Sequence, residues 1–224
     1  MKIIAKIYTD FKDKFGIPRQ SALSDAEGKI VFEKEYRNPE ALRGLEGFSH
    51  LWLIWQFSES VMEKWSPTVR PPRLGGNKRV GVFATRSPYR PNPIGLSSVE
   101  ILKIEKEGTL GTVIYVKGVD MLSGTPIYDI KPYVAYSDSH PNAKSGFADD
   151  NFGKKLSVEI PEEISAKLGE EKTKRLIALL EEDPRPSYQD DPEREYAMFF
   201  DSFEIFFKVS AGTLFVNKYK TTKI

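Results

Sequence analysis

The sequence predicts a mostly β protein, a barrel or sandwich of short strands, with a smaller α+β part at its C-terminal end. Three observations carry this. Short apolar runs of strand length, separated by Gly and Pro, fill the first two thirds of the 224 residues. A helical repeat of apolar residues occurs only after Pro161. No Gly-rich phosphate fingerprint opens a helix after a strand, which argues against a parallel nucleotide-binding sheet.

Taken in order, Ile3 to Tyr8 and His50 to Phe57 are apolar, aromatic runs of strand length, and Val80 to Ala84 is a third, shorter one. Leu96, Ser98, Glu100, Leu102 and Ile104 alternate with Ser97, Val99, Ile101 and Lys103, which suggests a strand buried on one side and lightly covered on the other. Thr112 to Lys117 is β-branched and aromatic, with Gly111 and Gly118 at its ends. Ser137 to Asp150 is polar and reads as a linker, which divides the chain into residues 1–140 and 141–224. Lys155 to Ile160 is a short strand. Pro161 then opens a helix with Glu162 and Glu163 in its first turn and Ile164, Leu168, Leu176 and Leu180 on one face, and the helix stops before Pro184. Phe203 to Val209 and Thr213 to Tyr219 flank Ser210-Ala211-Gly212 as a hairpin.

Composition excludes several classes. Apolar residues make up 40% and aromatic ones 12%, enough for a real core. There is no Cys, so disulfide frameworks, thiolate metal sites and Cys nucleophiles are excluded. The two His, His50 and His140, do not suggest a metal site, and none is expected; His50, among Phe48, Leu51 and Trp52, is expected to be a buried, hydrogen-bonded residue. The apolar run Leu51 to Trp55 is too short to span a bilayer, and Lys6 breaks the N-terminal run before a signal core could form. The expectation is a soluble, cytoplasmic protein with no membrane partner.

Net charge is only +1, but it is segregated. Residues 64–99 contain Lys64, Arg70, Arg73, Lys78, Arg79, Arg86 and Arg90 and no Asp or Glu. That segment carries +7, and the remaining 26 basic and 32 acidic residues leave the rest at −6. It also holds six of the fifteen prolines, which stiffen a loop that must keep a shape. Arg suits carboxylates and phosphates, and Tyr89 beside Arg90 adds a stacking surface. A stiff, cationic, acid-free loop system fits an anionic ligand better than it fits an idle solvated loop. Taken singly, Pro18-Arg19-Gln20 is a loop, Asp120 before Ser123-Gly124-Thr125-Pro126 is a turn residue, and Asp129 with Lys131 is an ion pair on a strand edge.

Together, six stretches resemble one family. They are Phe15 to Gln20, Leu45 to Trp52, Arg70 to Gly76, Gly81 to Pro88, Arg90 to Gly95 and Gly124 to Tyr133. The chain resembles the TrmO (YaeB, TsaA-like) family of tRNA N6-threonylcarbamoyladenosine methyltransferases, densely over about residues 1 to 136. Asp183 to Tyr188 resembles the C-terminal domain of bacterial members. The resemblance implies a TsaA-like β-barrel, a homodimer, and S-adenosyl-L-methionine (SAM) as the cofactor for methylating the modified adenosine just 3′ of the anticodon.

The implied cofactor pocket uses Pro18, Arg19, Gln20, Ser58, Glu59, Arg86 and Leu96, and the turn Asp120, Met121, Leu122 and Ser123. Ser58 and Ser123 depart from the family pattern, where His and an acidic residue are common. Asp120 is the candidate base with Arg86 stabilising charge, and Asp129 is the second choice. Lys64, Arg70, Arg73, Lys78 and Arg79 are candidates for tRNA phosphates, and Arg90 or Arg185 for the threonyl carboxylate. Two other readings of the same residues are an RNA-binding barrel without chemistry and a methyltransferase with another acceptor.

Overall fold

In the computed structural model of the chain, all residues are described except 13, 15, 63, 72–73, 75–77, 152–154, 186–190 and 222–224, and the side chains of 150–151. Twelve strands and three α-helices follow one another among the described residues. They are β1 (Ala5–Thr9), β2 (Glu27–Phe32), β3 (His50–Gln56), β4 (Thr68–Val69), β5 (Val80–Gly81), β6 (Ile94–Glu107), β7 (Gly111–Lys117), β8 (Thr125–Pro132), α1 (Ala135–Asp138), β9 (Ser157–Glu159), α2 (Glu162–Leu168), α3 (Glu170–Leu180), β10 (Tyr196–Phe200), β11 (Phe203–Ser210) and β12 (Thr213–Thr221).

Six strands close an antiparallel barrel in the order β1-β2-β7-β6-β3-β8, with β8 returning to β1 through Ala5↔Ile127. Closure removes the exposed edges that an open sheet would leave. Alternation sets the faces. In β3, Leu51, Leu53 and Trp55 point inward and are buried, while His50, Trp52, Ile54 and Gln56 face outward. The inward residues meet Ile7, Ile30, Val99, Ile114, Val116 and Ile127 in the core. The long strand β6 pairs with β3 through Ile94–Glu100 and with β7 through Glu100–Glu107, and an irregularity between Ile101 and Lys103 lets it bend from one neighbour to the other.

The C-terminal part is a sheet of order β10-β11-β12-β9 under two helices. Ile164, Leu168, Leu176, Leu179 and Leu180 pack with Ile205, Phe207, Val209 and Leu214. The single helix expected after Pro161 is two, because Gly169 takes φ +81 between them, a conformation unfavourable for other residues. The part is docked on the loop after β1. Arg19 Nη2 donates to the carbonyls of Asp183 (3.0 Å) and Arg185 (3.1 Å), Arg175 pairs with Asp10 at 3.1 Å, and Met198 lies over Gly16.

Several expectations need correction. The run Val80 to Ala84 is extended only as far as Gly81. Val82–Ala84 form a 3-10 turn, because Val82 is pulled into the interior and its carbonyl accepts from the Thr85 hydroxyl at 2.8 Å. His50 is exposed rather than buried, since it occupies an outward position of β3, and its Nδ1 lies 2.9 Å from Ser49 Oγ. The polar stretch after Ser137 is not wholly irregular. Asp138 Oδ2 accepts from Trp52 Nε1 and from the Val134 amide, both at 2.9 Å, and these bonds hold its carboxyl below the usual range. Strands β2, β4 and β10 have no counterpart in the sequence reading, and β8 is marked there only by the strand edge at Asp129 and Lys131. Among the described residues no helix is long and apolar enough to cross a membrane.

Candidate active site

The C-terminal ends of β1, β3 and β7 and the N-terminal ends of β6 and β8 lie together at one end of the barrel, as antiparallel order requires. The loops leaving them enclose a cavity of about 1060 Å³. That is at the upper end of the roughly 300–1,000 Å³ of ligand pockets, so it has room for a cofactor and part of a second molecule. Its walls come from the loop after β1, the segment after β3, the β4–β5 hairpin with the Pro-rich loop behind it, and Phe147 from the linker.

Trp55 and Gly95 are directly paired on β3 and β6. The indole lies flat on the glycine: a Cβ there would be 2.2 Å from Trp55 Cε2, so only Gly permits the approach. The ring is thereby aimed at its partner. Trp55 Nε1 donates to Ser97 Oγ at 2.9 Å, and Ser97, fully buried, donates to Asp120 Oδ1 at 2.6 Å. An indole N–H can only donate, so the single hydroxyl hydrogen of Ser97 is committed to Asp120.

Asp120 is thus an acceptor at the bottom of the cavity. Burial raises its pKa to about 6, opposed by the bonds from Ser97 and from the Asp120 and Ser21 amides, and by the charge of Arg86. A carboxylate with that value is ionised at neutral pH yet basic enough to accept a proton.

Ten of the eleven residues expected around a cofactor line this cavity: Pro18, Arg19, Gln20, Ser58, Glu59, Arg86, Leu96, Asp120, Met121 and Leu122. Ser123 does not. Its hydroxyl accepts from the Thr9 amide at 3.2 Å, and its amide donates to Phe11 O at 2.9 Å, so it ties the turn to β1. The Arg86 guanidinium donates to Gln20 Oε1 and faces Asp120, while Arg19 holds the C-terminal carbonyls described above.

Of the basic candidates, Arg70, Arg79 and Arg90 line the cavity; Lys64 and Lys78 are exposed beside it. Arg185 does not line it, because its guanidinium is turned to Asp183, Nε to Oδ1 at 2.8 Å and Nη2 to Oδ2 at 3.0 Å. Asp129 is also elsewhere, paired with Lys131 at 3.1 Å on β8. Arg73 lies outside the described residues, as do Phe15, Gly75-Gly76-Asn77 and Pro186-Ser187-Tyr188. Among the described residues no cluster of His, Asp or Glu could hold a metal.

The cavity suits a zwitterionic, sulfonium-bearing cofactor. It offers the acidic groups Asp120 and Glu59, the basic groups Lys14, Arg19, Arg70, Arg79, Arg86 and Arg90, and aromatic faces at Trp55, Phe57 and Tyr89. A carboxylate, an ammonium and an adenine would each find a partner of the right kind.

The sequence profile of the tRNA-methyltransferase O N-terminal domain matches residues 6–139, and that of the TrmO C-terminal domain matches residues 153–221. The chain belongs to the TrmO family. A TrmO relative named tRNA (adenine(37)-N6)-methyltransferase, from Escherichia coli (strain K12), is 38% identical over 218 residues, 92% of each chain. A relative from Pyrococcus abyssi, named "Probable S-adenosyl-L-methionine-binding protein", is 38% identical over 152 residues, 67% of this chain and 77% of its own. The crystal structure of TrmO from Pseudomonas aeruginosa superposes with a TM-score of 0.77 at 31% identity, covering 98% of this chain and 95% of that one.

The TrmO site contains groups that the sequence reading missed: Lys14, Trp55, Ser97 and Phe147. Trp55 was hidden in an apolar run. Ser97 left a signal, a hydroxyl at an inward slot of a barrel strand between Gly95 and Val99, where an apolar residue belongs.

Proposed function

We propose that this chain is a SAM-dependent methyltransferase that adds a methyl group to N6 of threonylcarbamoyladenosine beside the anticodon of tRNA. The observation that carries the chemistry is the partly buried carboxylate of Asp120, held by Ser97 in a cavity large enough for a cofactor and a nucleobase. The bound cofactor supplies an electrophilic methyl group on a sulfonium.

The acceptor nitrogen lies between a purine and a carbonyl, so its lone pair is delocalised and it needs help to react. Asp120 takes the proton from that nitrogen, and Arg86 offsets the negative charge that develops. Asp120 also places a negative group where a sulfonium is favoured. Pro18, Gln20, Ser58, Glu59, Leu96, Met121 and Leu122 form the cofactor's surroundings, and Arg19 fixes that wall by tying it to the C-terminal part. Arg90, whose Nη1 donates to the Thr85 carbonyl at 3.1 Å, faces the cavity and is assigned to the threonyl carboxylate. Lys64, Arg70, Lys78 and Arg79 are assigned to phosphates of the anticodon arm. We further propose a homodimer, a cytoplasmic location with the tRNA pool, and a division near residue 140 into a catalytic barrel and a C-terminal α+β unit.

The test is incubation of the protein with SAM and tRNA carrying the modification, followed by digestion and mass spectrometry of the nucleosides. One added methyl on threonylcarbamoyladenosine alone is the expected result. SAM binding with no methylated nucleoside would point to another acceptor, and no SAM binding would leave a non-catalytic RNA-binding barrel.

A further inference from the structure

Beside the mouth of the cavity, aromatic side chains stand in solvent. Phe83 is 70% exposed, Trp65 50% and Tyr89 48%, figures that are high for residues of this size. They are arranged rather than scattered. The Trp65 and Phe83 rings lie 6.1 Å apart with planes inclined by 31°, and the Arg90 guanidinium sits over the other ring at 5.8 Å from the Phe83 centroid. Tyr89 and Arg90 also line the cavity, so the surface continues into the site.

From these positions we infer that Trp65 and Phe83 form a stacking platform for the bases that flank the target nucleotide in single-stranded RNA. The inference rests on the methyltransferase reading above and extends it to residues outside the cavity. A cavity that holds a cofactor and one base leaves the neighbouring bases of a loop outside, unstacked, and aromatic faces are the surface that replaces lost stacking without choosing a sequence. The charge around the platform selects the partner. Arg90 lies over Phe83, Arg70 and Arg79 line the adjoining cavity, Lys64 precedes Trp65 in the chain, and residues 64–99 contain no acidic residue at all. A second copy of this chain docked here about a two-fold axis would place that +7 segment against itself, which like-charge repulsion disfavours. A phosphodiester chain with exposed bases meets both features at once.

The chain has three Trp, and Trp65 is the exposed one, since Trp55 is buried in the barrel and Trp52 is partly covered. Trp fluorescence and its quenching by acrylamide therefore report mainly on the platform. On titration with an anticodon stem-loop RNA carrying the modification, Trp65 should become protected from acrylamide, and Trp65→Phe should abolish that signal while keeping affinity. The double variant Trp65→Ala/Phe83→Ala should bind the RNA about tenfold or more weakly, with an unchanged slope of log affinity against log salt. Arg79→Ala should instead lower that slope by about one. Unchanged RNA affinity in the double variant would overturn the platform, as would Trp65 protection that rises with protein concentration in the absence of RNA, the mark of a second copy on this face. Failure of the methyltransferase reading is separate, for it would show as no methylated nucleoside from the wild-type protein.

Discussion

Replacing Asp120 with Asn should make the protein more stable and nearly inactive. The carboxyl is pushed from 3.8 to about 6, chiefly by burial. A displacement of about two units corresponds to about 3 kcal/mol between the two ionisation states. The sign follows from the direction. A raised folded-state pKa means that the native protein prefers the protonated acid, so the stability associated with it is complete below about pH 3.8 and is lost as pH rises through about 6. At pH 8 the wild type therefore carries the full cost of a buried charge. Asn is neutral at every pH, and its carbonyl can still accept the Ser97 hydroxyl, while its NH2 group cannot accept the backbone amides that bond to the carboxylate, which offsets part of the gain. Urea unfolding of the two proteins from pH 4 to pH 8 should show the variant and the wild type nearly equal at the acid end. The variant should lead by up to about 3 kcal/mol above pH 7. Methyl transfer by the variant should fall by about a hundredfold or more, the usual share of a general base. A stability difference that does not change with pH would refute the buried-charge argument, and wild-type turnover in the variant would remove Asp120 from the role of base.

Three further outcomes follow from the same geometry. Ser97→Ala removes a bond that lowers the Asp120 pKa, so the acidic limb of the kcat/KM pH profile should move above about 6, with about 1–3 kcal/mol of stability lost as Trp55 Nε1 is left without its partner; an unmoved limb would mean that Asp120 does not govern it. Gly95→Ala brings a methyl against the Trp55 ring and should cost about 1–3 kcal/mol by overpacking, visible as a lower unfolding midpoint and an altered near-ultraviolet Trp signal. Arg19→Ala removes both bonds to the carbonyls of Asp183 and Arg185, and should cost about 2 kcal/mol and speed amide exchange in α3 and β10 before the barrel strands; uniform exchange throughout would argue that the C-terminal part is held by apolar contacts alone.

Much of the architecture was legible in the sequence, for reasons that can be named. Leu51, Leu53 and Trp55 alternate with outward residues, and a period of two survives whatever partners a strand acquires. The run Pro18-Arg19-Gln20, the turn Asp120-Met121-Leu122 and the Arg-rich segment around Arg86 each lie contiguous in the chain, so the family resemblance could mark them without a structure. Strand β2 was not legible, because Glu27, Gly28 and Lys29 interrupt its apolar half and only pairing on both sides, to β1 and β7, makes it extended. Ser123 was carried along by its neighbours in the turn, yet the turn rotates it away from the cavity to Thr9.

The sequence by itself determined the class of fold, the loops that surround the cavity and the segregation of positive charge, since each is written in local pattern or composition. Only the tertiary structure decided the surroundings of Asp120, because the indole that bonds Ser97 is 42 residues from it in the chain and Ser97 is 23 residues from the carboxylate. It also decided that Arg19 would serve the C-terminal part, 164 residues away, and that Trp65 and Phe83 would stand side by side. Such meetings depend on strand register and barrel closure, which are properties of the whole chain, and no local window of sequence contains them.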